Sequence, residues 1–203
     1  MDNTTRLIEY LKKRGISKQT AKDFNLALYT NKFKFLGEEF NHEEFVSDVH
    51  KQSIIFPVLD VYGELVCISS KNPDQPKYFH KGSKTKTFYG LHTTWKYIEE
   101  KNVAVIVEGN FDILKCYEKG IKNVVACLGS AVKDEQLYLL RRFTNRCIIA
   151  LDGDEAGQKA SDKLKKQLDT IGFMYKKVNL PETEDPDSFL TKHTKEEFFK
   201  LTK

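Results

Sequence analysis

An α/β fold is predicted for this chain: a mainly parallel sheet covered by helices, preceded by a smaller α+β lobe. Three observations predict it. The runs VAVIVE, NVVACL and CIIALD are apolar throughout, as strands buried on both faces are. Helical segments separate them, so consecutive strands can lie parallel through crossovers. Upstream, SIIFPVLD and ELVCISS flank Tyr62–Gly63, a hairpin pattern of a different kind.

The elements follow in order. Residues 1–30 read as helical: Thr5 is expected to cap a helix carrying Leu7, Ile8 and Leu11, and Gly15 to stop it. Ser17 then opens a second helix through Ala21 and Phe24. Residues 31–50 are polar and acidic without clear periodicity. After the hairpin comes a basic, turn-rich stretch. From residue 101 the order is strand VAVIVE, helix FDILKCYEKG, strand NVVACL, helix KDEQLYLLRRF, strand CIIALD, a long helix stopped by Gly172, and strand FMYKKVNL. The expected divisions are residues 1–98 for the α+β lobe, 99–192 for the parallel-sheet domain and 193–203 for a helical tail.

Composition bounds the function. The chain has 203 residues, 40% of them hydrophobic and 31% charged, enough for a core and ordinary for a soluble protein. No apolar run has the length of a membrane span, and the polar opening MDNTTRLIEYLKK is not a secretory leader. A soluble intracellular protein is expected, with no membrane partner. Cys67, Cys116, Cys127 and Cys147 form no CxxC pair. They read as buried thiols rather than a structural zinc site. Net charge is only +4, but between Lys71 and Lys96 six lysines accompany a single acid, Asp74, with aromatics interleaved. Composition alone makes this a solvated face; the same pattern also suits a surface that tracks phosphates.

The chemistry is expected at the carboxyl ends of the strands, where open α/β sheets bind ligands. Glu108 follows the first strand, Asp152 and Asp154 the third, and Asp185 and Asp187 the fourth. Asp112 lies one helical turn beyond Glu108. So many carboxylates at one edge repel one another and raise each other's proton affinity. A hard divalent cation relieves that conflict, and oxygen ligands select magnesium, manganese or calcium over zinc. Two such ions can assist phosphoryl transfer. Bland readings stand beside this: DPD is also a helix-start signal, and Asp112 is also a first-turn dipole partner. Gly109, Gly129 and Gly153 sit in the same turns. They either let a phosphate approach the backbone or simply shape the loops.

The ordered set IVEGNFD, ACLGS, ALDGDEAGQKA and EDPDSFL resembles the TOPRIM domain over residues 101–192. That resemblance implies Glu108 as a general acid/base residue or only a metal ligand, with Asp152 and Asp154 as the metal-binding pair. It implies Asp112, Asp185 and Asp187 as further acids around the metals, giving Mg2+ or Mn2+ as cofactor. IIFPVLDVYGELVCISSK, PKYFHKG and FYGL resemble the lobe that precedes TOPRIM in DnaG-type primase catalytic cores. By that resemblance Lys71 and Lys77, and more loosely Lys84 and Lys86, contact nucleic acid or nucleotide. The implied activity is RNA primer synthesis from ribonucleoside triphosphates on single-stranded DNA, in the cytoplasm of a bacterial cell or phage-infected host. Typical relatives carry a zinc-binding domain that this sequence lacks, so a separate zinc-containing module or a replicative helicase is the expected partner. A TOPRIM nuclease and a non-catalytic nucleic-acid-binding module are the rival readings.

Overall fold

The computed structural model describes residues 3–28, 33–35, 38–40, 53–129 and 131–203. The chain divides into two compact units. One comprises residues 1–58 and 65–84, the other residues 59–64 and 85–203.

The first unit is α+β. Helix α1 (Asn3–Lys13) begins two residues before Thr5, so Thr5 lies in its first turn rather than at its start; helix ends shift this much because their terminal turns fray. Gly15 follows it in the left-handed region at φ 68°. Helix α2 (Lys18–Asp23) starts as expected: the Ser17 side chain accepts a hydrogen bond from the Thr20 amide at 3.1 Å. Strands β1 (Ala27–Leu28), β4 (Ile54–Leu59), β5 (Leu65–Lys71) and β6 (Phe79–Gly82) form one sheet in the order β1-β4-β5-β6. β4 is buried along its whole length, so IIFPVL serves as the core strand of this unit. Of the stretch 31–50, the pair β2 (Phe33–Phe35) and β3 (Glu38–Phe40) is described; the rest lies outside the described residues.

The second unit carries the parallel sheet. Its strands β7 (Ala104–Val107), β8 (Val124–Ala126), β9 (Arg146–Ile149) and β10 (Met174–Lys177) are arranged β10-β9-β7-β8, every pair parallel. The helices are α3 (Leu91–Lys101), α4 (Asn110–Glu118), α5 (Asp134–Leu140), α6 (Glu155–Ile171), α7 (Pro186–Lys192) and α8 (Lys195–Lys200). One face of the sheet, with Ile106, Val125, Cys147 and Ile149, packs on Leu91 and Ile98 of α3, Leu137 of α5 and Leu164 and Leu168 of α6. α3 straddles residue 98 and belongs to this unit, and residues 201–203 pair with the strand end at Lys177–Asn179. All four cysteines are buried free thiols. Among the described residues no helix is long and apolar enough to cross a membrane.

Candidate metal centre

Parallel register brings the acids together. Ile106 pairs with Ile149, and the Ala150 amide donates to the Ile106 carbonyl at 2.8 Å. Glu108 and Asp152 therefore leave adjacent strands, spaced about 4.8 Å apart, at the same carboxyl edge. The turn after β9 is held against the loop after β10: the Gly153 amide donates to the Glu184 carbonyl at 2.9 Å. A side chain at Gly153 would lie 2.0 Å from the Pro181 carbonyl oxygen, so only glycine permits this approach. That contact carries Asp185 to the rim beside Asp152.

The electrostatics report the crowding. Asp152 is pushed up to about 7 by burial, then by Glu108, Asp185 and Asp154. Glu108 is raised by burial and by Asp154. Asp152 Oδ1 is buried without a hydrogen-bond partner, an expensive state for a carboxylate. Asp154 and Asp185 each use one oxygen to cap a helix, accepting from the Gly157 amide at 2.7 Å and the Ser188 amide at 2.6 Å. As they stand, no three His, Cys, Asp or Glu side chains among the described residues enclose a cation. Magnesium suits that arrangement, since it takes one or two protein carboxylates and completes its shell with water and phosphate. The buried, unpartnered oxygen and the all-oxygen donor set fit such an ion.

Asp112 and Asp187, expected as further acids around the metals, also make contacts within the protein. Asp112 accepts from the Gly109 amide at 2.7 Å and from the Asp187 amide at 3.3 Å, joining the starts of α4 and α7. Burial, then Asp152 and Asp185, raise its proton affinity well above the usual carboxylate range. Asp187 lies 3.5 Å from the Lys115 ammonium, both side chains under 10% exposed. Lys115 is the residue that sequence reasoning missed. A lysine inside the otherwise apolar run ILKCY, one turn after Asp112, was the available signal. The glycines are also committed internally: the Gly109, Gly129 and Gly153 amides donate to Asp112, to the Glu108 carbonyl and to the Glu184 carbonyl. These bonds hold the turns in shape. Around Gly129 a side chain would meet nothing within 4 Å.

A cavity of about 150 Å3 opens beside Glu108, lined among others by Cys127, Val132, Leu151 and Lys163. Burial and Glu108 push the Cys127 thiol up to about 12, so it stays protonated and is no nucleophile at neutral pH. The four predicted basic contacts fall in both units. Lys71 is buried in β5; its ammonium donates to the Gln75 carbonyl and lies 5.4 Å from the centre of the Tyr78 ring. Lys77 is exposed and Lys84 half-buried in the first unit, while Lys86 is exposed in the second. Lys84 also helps burial hold His80 down at about 4.

Comparison with known proteins places the fold. The Toprim-like family matches residues 105–190. A DNA primase from Aquifex aeolicus is 32% identical over 217 residues, covering 95% of this chain and 44% of that protein. The chain thus spans under half the length of that curated relative. Among solved structures, the DnaG catalytic core superposes with a TM-score of 0.84 at 26% identity, over 99% of this chain and 73% of that one. A DnaG primase catalytic domain bound to ssDNA gives 0.81 at 24% identity, over 99% and 72%, a likeness of fold.

Proposed function

This chain belongs with the catalytic cores of DnaG-type primases, and on that premise we propose that it synthesises short RNA primers on single-stranded DNA. The observation that carries the reading is the rim of Glu108, Asp152, Asp154 and Asp185, with one buried Asp152 oxygen lacking a partner. Asp152, Asp154 and Asp185 would hold magnesium or manganese, which supplies charge neutralisation to the triphosphate and to the attacking oxygen.

The chain's own residues do the rest. Glu108, half-buried and with raised proton affinity, accepts the proton of the primer 3′ hydroxyl. The freed oxygen bonds to the α-phosphorus of the incoming ribonucleotide. The bond from that phosphorus to its bridging oxygen breaks, and pyrophosphate leaves with the electron pair. Asp112, Asp187 and Lys115 position the rim through α4 and α7 without touching substrate. Lys77 and Lys86, both exposed, hold backbone phosphates of template or nucleotide, with salt-sensitive affinity. Lys71 orders the Asn72–Tyr78 turn from within. A replicative helicase or zinc-containing module would supply template selection.

The test is incorporation of radiolabelled ribonucleotides on mixed single-stranded templates, with magnesium or manganese and with or without such partners. Metal-dependent oligoribonucleotides are expected. Template cleavage without incorporation would instead establish a nuclease.

A further inference from the structure

The parallel sheet has one face that its own helices leave partly bare. Side chains alternate along a strand. Cys147 and Ile149 of β9, and Phe173 and Tyr175 at β10, belong to the core on the α3/α6 face. Arg146, Ile148, Met174 and Lys176 therefore point to the opposite face. On the central strand that face is closed, with Val105 and Val107 fully buried. Towards the β10 edge it opens: Ile148 is only half-buried and Met174 is 52% exposed, one of few large apolar residues so exposed among the described residues. The result is a depression of about 350 Å3 at the amino-terminal ends of the strands, remote from the acidic rim, floored by Val103, Ile148 and Met174. Its charged lining is all cationic: Lys101, Arg146 and Lys176. Arg146 and Lys176 have no acidic partner among the described residues.

We propose that this face docks an acidic amphipathic helix of a partner protein. The covering layer of a parallel sheet is ordinarily helical. A helix laid here would set an apolar stripe over Val103, Ile148 and Met174 and flanking carboxylates against the three cations. Nucleic acid fits less well, because the floor is aliphatic and the one ring in the lining, Tyr175, is packed against the core and tied to α6 instead of being presented for stacking. The Tyr175 hydroxyl donates to Asp169 of α6, on the other side of the sheet, at 3.3 Å.

The chain contains two methionines, Met1 and Met174, so methyl-labelled methionine reads this face directly. The probe is a synthetic helix of about four turns, with leucines at i, i+3, i+4 and i+7 and glutamates on both flanks. Its controls are a twin with lysine flanks, a single-stranded oligonucleotide and a protein dilution series. The acidic helix is expected to shift the Met174 methyl resonance and leave Met1 in place. Arg146→Glu with Lys176→Glu should weaken it by about tenfold or more while leaving the melting temperature unchanged. Met174→Ser, which keeps the charges and is read by fluorescence anisotropy of a labelled acidic helix, should weaken it too. The proposal is overturned if Met174 stays unmoved at millimolar peptide, or if the lysine twin or the oligonucleotide binds equally well. It is overturned equally if the Met174 signal changes on protein dilution alone, which would make the occupant a second copy.

Discussion

Two groups of acids stand at the same end of one sheet and are treated oppositely. Asp112 and Asp187 are buried, yet each has compensation: backbone amides for the first, the Lys115 ammonium for the second. Asp152, next to them, keeps a buried oxygen without a partner and faces Glu108, Asp154 and Asp185. A carboxylate whose charge the fold neutralises is part of the scaffold. Asp112 also feels like charges, from Asp152 and Asp185, so what sets Asp152 apart is the buried oxygen that no donor reaches. On the proposed function, Asp112 and Asp187 build the rim and Asp152 uses it.

The sharpest way to break this contrast is to neutralise one acid of each kind. Asp152→Asn should lower ribonucleotide incorporation by about a hundredfold or more, and Glu108→Gln by a similar factor, with both variants folded by circular dichroism. If Asp112→Asn matched them at unchanged stability, the division into scaffold and working acids would fail.

Next in size is the buried ion pair. Lys115→Met removes the ammonium beside the buried Asp187 carboxylate and should cost about 3–5 kcal/mol in urea denaturation. Adding Asp187→Asn to it should restore much of that loss, because the buried charge that faced the ammonium is gone.

The pH dependence sharpens the same point. Asp152 has an ordinary value of 3.8 when unfolded and about 7 when folded. Between those values the folded state binds more protons, so the metal-free protein should lose stability as pH rises from about 4 to about 7. Thermal melts should show that slope flattened in Asp152→Asn. Magnesium added at pH 8 should raise the melting temperature of the wild type more than that of the variant. Smallest is the loss of the bond from the Gly109 amide to the third residue of α4: Asp112→Ala should cost about 1 kcal/mol from the α4 start.

Much of this was legible in the residue order. VAVIVE, NVVACL and CIIALD are too uniformly apolar for anything but strands covered on both sides, and they became β7, β8 and β9. Acids directly after those strands had to share an edge once the strands ran parallel. Ser17 before Lys18 and Asp185 before Pro186 announced their caps. Lys71 was less legible: a lysine after ELVCISS reads as a surface cation, and only the return of Gln75 and Tyr78 around it shows that it is buried. For Gly153 likewise, only the fold shows why a side chain is excluded: the Pro181 carbonyl fills the space it would take.

The amino-acid order by itself determined the alternation of strand and helix, and hence which end of the sheet is acidic, because periodicity and chain direction are local properties. Which carboxylates are neutralised, that Lys115 is buried among them, and that one sheet face stays open beside Met174 were decided only by tertiary structure. Those outcomes depend on the partners that residues tens of positions apart bring to each side chain. Spacing along the chain does not encode such partners.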